Sequence, residues 1–242
     1  MYTLHDFELI HKRSKYTLSK EQKKIIHQLC KNLGVESTFS CMIQEKKTVQ
    51  DCIRELNKLT DETRIPLILD IVKMNEHDLI PFSETLLSIM CKNSFYVKPY
   101  AELFFQLQSQ WSVFKTTLLR MHSEYIVSFE NIETCDPEQY DAYCALKKKQ
   151  DERRAFSLFL VHLGKSIPAD VCIKTVDCII ENIEKLLYVD KKECMNELVE
   201  NLFIFRSIKG FPKEKIVYFA ALKLTVGLNY KILFRFMDIL KV

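Results

Sequence analysis

Apolar residues recur three and four positions apart along nearly the whole chain, in runs that stop at short polar corners and then resume. The stretch ELNKLTDETRIPLILDIVK (55–73) shows the pattern. Leu56, Leu59, Leu67, Ile68 and Ile71 fall at helical spacing, and Asn57, Lys58, Thr60, Asp61 and Glu62 interrupt them. Such a period buries one face of a helix and leaves the other to water. The alternative folds lack their turn residues. Only 4 Gly and 6 Pro occur in 242 residues, whereas tight hairpins and phosphate-cradling loops depend on glycine. This scarcity argues against an all-β or glycine-loop fold, and a 48% hydrophobic content supplies a sizeable core.

Punctuation marks out the helices. Ser19 with Gln22 reads as a capping box for a helix that turns Ile25, Ile26, Leu29 and Leu33 inward and stops at Gly34. Thr48 with Asp51 reads as a second N-cap. Thr60 can cap the next helix, with Pro66 either inside it or at its first position. Pro81, Lys98–Pro99, Pro168 and Pro212 are expected to open helices, the last running to Val226. Residues 113–129 read as one long helix. The polar stretch 131–152 reads as a loop entering a helix whose buried part spans 156–163. Asp190 is expected to cap a helix carrying Met195, Leu198, Leu202 and Phe203, and Gly227 with Asn229 precede a last helix over 230–241. About ten or eleven helices in consecutive pairs, with periods of roughly 35–50 residues, predict an all-α fold. The expected form is a HEAT-type helical-repeat solenoid, about five antiparallel pairs in a crescent. A plain helical bundle is the alternative. The domain reading is a tail over 1–16 followed by one repeat domain over 17–242.

The residues that catalysis or cofactors need are not grouped. The six His show no metal-ligand spacing with each other or with Cys, no phosphate-loop motif is present, and no Ser sits in a nucleophile elbow. Glu193, Cys194 and His162 read as a surface Glu, a core Cys and a partly buried His. Neither an enzyme nor a cofactor is expected. Nine Cys without a CxxC pair, most at apolar helical positions, suggest a reducing, cytoplasmic setting. No apolar run approaches the ~18 residues of a membrane span. Net charge is only +3, so any contact with nucleic acid requires a local basic patch. Two clusters qualify: Lys147, Lys148, Lys149, Arg153 and Arg154, and then Lys209, Lys213 and Lys215. Both are candidate RNA phosphate contacts, with Tyr140 and Tyr143 available to stack on bases. Solvated helix ends are the alternative reading of each.

Five stretches in order resemble the middle domain of eukaryotic translation initiation factor 4 gamma, over about residues 17–242. Leu56-Asn57-Lys58-Leu59-Thr60 reproduces the corner that ends the family's first repeat. PYAELFFQL (99–107) is similar to its tyrosine–alanine segment, and FKTTLLRMHSEYIVSFE (114–130) to the helix before its acidic loop. DERRAFSLFLVHLG (151–164) is similar to its twin-arginine helix, and NYKILFRFMDIL (229–240) to its terminal helix. The chain departs from the family where Asp61 and Arg64 replace a frequent proline and aromatic, and where the twin-arginine helix lacks glycines.

The resemblance implies a translation-initiation scaffold that binds and stimulates a DEAD-box RNA helicase of the initiation factor 4A type, one lobe at the corner and one at the last repeats. The implied helicase contacts are Leu56, Asn57, Lys58, Leu59, Thr60, Asp61, Glu62 and Arg64, with Lys231 and Asp238 in the terminal helix. Leu56 and Leu59 follow the apolar stripe and also suit the core. In the tail, Tyr2, Leu4, Phe7 and Leu9 loosely resemble the element by which such scaffolds dock the cap-binding protein, initiation factor 4E; mRNA is a further implied partner. Related middle domains that serve RNA surveillance, splicing or poly(A)-binding-protein regulation are the runner-up reading, and a plain RNA-binding module is a third.

Overall fold

The computed structural model describes residues 48–241, apart from 73 and 165, together with positions 21, 24, 25, 28 and 32; the side chains at 61, 76 and 169 are left aside. Contacts group the chain into two compact units, 1–46 and 47–242, where the sequence reading set its boundary at residue 16. In the first unit the described positions are helical and exposed, including Ile25, which had been expected to face inward.

Among its described residues the second unit contains ten helices and no strand. They are α1 (Val49–Leu56), α2 (Asp61–Val72), α3 (Glu76–Lys92), α4 (Val97–Gln110), α5 (Ser112–Val127), α6 (Tyr140–Leu163), α7 (Ala169–Leu186), α8 (Lys192–Ile204), α9 (Lys213–Ala221) and α10 (Tyr230–Leu240). Single 3-10 turns follow α3 and α8.

Local chemistry sets the ends. Thr48 and Asp51 form the expected capping box: the Asp51 amide donates to Thr48 Oγ1 at 3.2 Å and the Thr48 amide to Asp51 Oδ2 at 3.0 Å. Thr60 and Thr63 repeat the arrangement at α2, with amide-to-hydroxyl distances of 3.2 and 2.8 Å. This cap settles the Pro66 alternative: Pro66 lies inside α2, where it removes one helical hydrogen bond. Pro81 likewise lies inside α3, which starts at Glu76 rather than at the proline. The upstream turn is retained because Leu79 and Phe82 extend the same buried face.

Two further boundaries differ from expectation. Asp190 pairs with Lys192 at 3.5 Å and does not cap α8; the Lys191 amide bonds Val189 O at 2.8 Å, and this tight turn leaves Lys191 in the cap position. Helix α9 stops at Ala221 instead of reaching 226. The chain leaves the helix to bring Gly227 against the end of α7. There a Cβ would lie 2.2 Å from the Leu186 carbonyl oxygen, and the Thr225 hydroxyl donates to Leu187 O at 2.5 Å. Gly227 is therefore required by close approach, beyond separating two helices.

Packing is local in the chain. α1 packs on α2 and α3, α2 on α4, α3 on α5 and α6, and α4 on α5 and α6. Farther along, α5 packs on α7, α6 on α8, α7 on α8, α8 on α10, and α9 on α10. Every substantial contact joins helices at most three apart, and the even-numbered helices form one continuous row. This pattern is compatible with an α-helical repeat. One apolar cluster runs through it. Phe104 of α4 meets Phe114 of α5 and Phe159 of α6 edge-on, at centroid distances of 5.8 and 5.5 Å. Each such ring stabilises the fold by roughly 1.5–3 kcal/mol on burial. No helix among the described residues is long and apolar enough to cross a membrane.

Candidate interaction surfaces

The corner between α1 and α2 divides by side chain. Leu56 and Leu59 are buried in the core, whereas Asn57, Lys58, Thr60 and Glu62 are exposed. The backbone that presents them is pinned. The Lys58 amide bonds Glu55 O at 2.9 Å, and the Lys58 carbonyl accepts the Thr63 hydroxyl at 3.3 Å. The buried Tyr100 hydroxyl donates to Leu56 O at 3.0 Å, and the Leu59 amide bonds the same carbonyl at 3.3 Å, so the last carbonyl of α1 has two partners. Arg64 is bonded to Glu102 of α4 and is only 19% exposed. Its charge has a partner within the chain, and it braces α2 against α4.

The twin arginines sit in a second polar assembly, at the junction of α5, α6 and α8. Glu197 is 1% exposed, and both Arg153 (3.3 Å) and Arg154 bond its carboxylate. Arg153 also donates to the Ser128 hydroxyl and carbonyl and lies over the Phe129 ring at 5.6 Å. The network extends inward: Tyr125 Oη to Ser157 Oγ at 2.5 Å, Ser157 Oγ to Asn201 Oδ1 at 2.8 Å, and Asn201 Nδ2 to Glu197 Oε1 at 2.8 Å. Burial raises the Tyr125 phenol pKa well above its usual range, which keeps it a neutral donor. A carboxylate this deep is tolerated only because its oxygens are bonded to cations and an amide. Sequence reasoning missed Glu197. The available signal was Glu197 and Asn201 four residues apart on the apolar face of Met195, Leu198 and Leu202.

The remaining basic candidates scatter. Lys149 pairs with Glu133 at 2.8 Å and Lys215 with Glu184 at 2.5 Å. Lys147 donates to Gln150 and lies 5.1 Å over the Tyr143 ring. Lys148 and Lys209 are exposed, without a carboxylate partner among the described residues, and Lys213 is exposed. The structure does bring Lys147, Lys148, Tyr140 and Tyr143 together. With Lys92 they line an open groove of about 460 Å³, which Asp151 and Glu152 also enter. Arg153 and Arg154 lie in the buried network instead, so the cluster read as continuous in sequence is split in space.

In α10, Lys231 is exposed, and Asp238 bonds Lys241 at 2.7 Å, which holds its carboxyl below the usual range. Tyr2, Leu4, Phe7 and Leu9 lie outside the described residues. Cys194 is buried with its thiol toward Ile132 O at 3.3 Å, and burial pushes its pKa up; His162 is exposed on α6. No cluster of three or more metal-binding side chains occurs among the described residues. Comparison with known proteins yields no matching family model, no matching curated protein and no matching solved structure.

Proposed function

We propose that this chain is a translation-initiation scaffold that binds a DEAD-box helicase of the initiation factor 4A type and stimulates it. Its helices would form a crescent of about five HEAT-type pairs. The observation that carries the reading is how the resembling stretches meet. The Leu56–Thr60 corner is tied to the 99–107 segment through Tyr100 and, beside it, Arg64–Glu102. The 114–130 stretch is tied to the twin-arginine helix through Tyr125–Ser157 and Ser128–Arg153. Residues that look like a family signature thus pair with one another between helices that neighbour in space, which supports the reading. The polar corner they brace leaves the exposed side chains of Asn57, Lys58 and Glu62 available for a contact, with Thr60 exposed beside them in its cap.

The proposed mechanism uses no bond-making residue. A rigid surface that touches one helicase lobe at the corner and the other near Lys231 and Asp238 binds one relative placement of the lobes better than the rest. It shifts the population toward that placement. A differential affinity of about 1.4 kcal/mol changes the ratio of states tenfold. The test is RNA-dependent ATP hydrolysis by such a helicase with and without the chain at micromolar concentration. The expected result is a higher turnover rate; unchanged turnover with no complex formed removes the reading. A helicase of RNA surveillance or splicing recovered in its place would select the related adaptor reading.

The groove lined by Tyr140, Tyr143, Lys147 and Lys148 favours a second role, contact with single-stranded RNA. Binding there should weaken steeply with salt, because lysine–phosphate contacts release counterions. Docking of the cap-binding protein through Tyr2, Leu4, Phe7 and Leu9 completes the proposal and is tested by deleting residues 1–16.

A further inference from the structure

A second cavity opens beside the groove of Tyr140, Tyr143, Lys147 and Lys148. It lies between the end of α3, the second half of α5 and the middle of α6, and its volume is about 340 Å³. Consecutive residues of α3 divide the two spaces: Cys91 lines the cavity and Lys92 the groove. Glu152 of α6 lines both. Tyr143 and Glu152 stand about 14 Å apart along α6.

The floor of the cavity is apolar. Tyr125 and Phe156 are buried with their rings edge-on at 4.8 Å, and Met121 of the same lining is half-buried. Most charged groups around it already have partners. Glu124 pairs with Arg120 at 3.0 Å, Lys149 with Glu133, and Arg153 with Glu197 and Ser128. Glu152 has neither a hydrogen bond nor an ion pair among the described residues. Unlike Asp151, which is exposed, it is half-buried. Its charge reaches its neighbour: burial, and then Glu152, push the Cys91 thiol up to about 12. A half-withdrawn carboxylate with open acceptor sites calls for a donor from outside the chain.

The place of this carboxylate selects the donor. Next to a lysine groove it repels phosphate, so it serves a part of RNA other than the backbone. An ionised carboxylate only accepts hydrogen bonds. Unpaired bases in a strand present their Watson–Crick edges to such groups. Guanine alone offers two adjacent donors there, N1–H and the N2 amine. Adenine and cytosine offer one amine beside a ring acceptor, and uracil offers one N–H between two carbonyls. The cavity lies at the small end of the ~300–1,000 Å³ range of ligand pockets, room for a base and not for a strand.

We propose that this cavity takes one unpaired guanine of a bound RNA strand. The base lies on Met121 and Phe156 and donates N1–H and its N2 amine to Glu152, while the lysines and tyrosines of the groove hold the adjoining nucleotides. The inference rests on the RNA-contact reading of the groove and adds a base preference to it.

The test is fluorescence anisotropy on the full chain with RNAs of about ten nucleotides. One is all uridine; the others carry a single central guanosine, inosine, adenosine or cytidine. The guanosine strand should bind about tenfold more tightly than the uridine strand, and inosine, which lacks the N2 amine, should lose most of that gain. Glu152→Gln should bring the guanosine strand down to the uridine level and leave the uridine strand unchanged. Met121→Trp, which fills the cavity from its floor and keeps the carboxylate, should do the same. Lys147→Glu combined with Lys148→Glu should weaken every strand alike. Unchanged far-UV circular dichroism verifies the fold of each variant. Equal affinity for all strands overturns the guanine site and leaves the RNA contact standing; no binding of any strand at roughly 100 μM in low salt overturns both. A guanosine preference that survives Glu152→Gln overturns the proposal. So does a Glu152→Gln effect confined to helicase affinity, which would assign the carboxylate to a protein partner.

Discussion

The α1–α2 corner and the α5–α6–α8 junction look alike in sequence and opposite in space. Each places arginine and other polar residues among apolar ones, and each lies in a stretch that resembles a family motif. At the corner the polar side chains of Asn57, Lys58, Thr60 and Glu62 face water, and backbone bonds hold them in place. At the junction Arg153, Glu197 and Asn201 face inward and bond one another. The difference lies in where the countercharge sits. A polar residue on a helix face becomes part of the core when a partner from another helix meets it there, and otherwise it stays a surface. Arg64 belongs with the junction on this criterion, because Glu102 meets it. A charge reversal at Arg64 would therefore test the brace between α2 and α4 and not a partner contact, whereas reversals at Lys58 and Glu62 test the contact.

The largest effect is expected from Glu197→Ala. It leaves Arg153 and Arg154 without their carboxylate and opens the Asn201 amide, and it should cost about 3–5 kcal/mol in urea unfolding. Replacement of an exposed polar residue at the corner should do nothing comparable, and a loss below about 1 kcal/mol in Glu197→Ala would erase the contrast between the two regions. Next is Tyr100→Phe, which removes one buried hydrogen bond to Leu56 O but leaves that carbonyl the Leu59 amide, and should cost about 0.5–1.5 kcal/mol. Because that bond pins the corner, the variant should also raise amide exchange at residues 57–60 relative to the rest of the domain.

A smaller effect is expected from His122, buried beside the junction. The Thr175 hydroxyl donates to Val171 O at 3.0 Å, so His122 Nε2, 2.8 Å away, is the donor to Thr175. Burial is the main cause that lowers the His122 pKa below 6.5. The folded state favours the neutral ring, so its stabilisation is complete above the unfolded value and is lost as pH falls through the range beneath 6.5. Unfolding in urea at pH 7.5 and 5.5 should show that decline in the wild type and a flatter profile in His122→Gln. The smallest effect on stability is expected from Lys58→Glu, within about 0.5 kcal/mol, as for an exposed charge without a buried partner.

The periodic apolar runs made the helices legible, and Thr48–Asp51 and Thr60 located their caps, because those signals are local. Pro81 and Asp190 misled for the same reason: a proline signals a first turn, but the buried faces of Leu79 and Phe82 hold the turn before it. The end of α9 was illegible because it depends on the carbonyls of Leu186, Leu187 and Val189, which sequence does not place beside Gly227. The corner was readable as a corner, and the burial of Leu56 and Leu59 followed from their stripe. The basic cluster at 147–154 was not readable as a site. Which of its charges stay free is decided by Glu133 and Glu197, 16 and 44 residues away.

The most direct measurement is energy transfer between dyes on the two lobes of a 4A-type helicase, recorded with RNA and nucleotide as the chain is added. A scaffold that grips one lobe at the corner and the other at the terminal helix predicts a shift to one intermediate lobe separation, abolished when Lys58→Glu and Lys231→Glu are combined. A lobe distribution that the chain leaves unchanged at saturating concentration, or a shift that survives both substitutions, would contradict it.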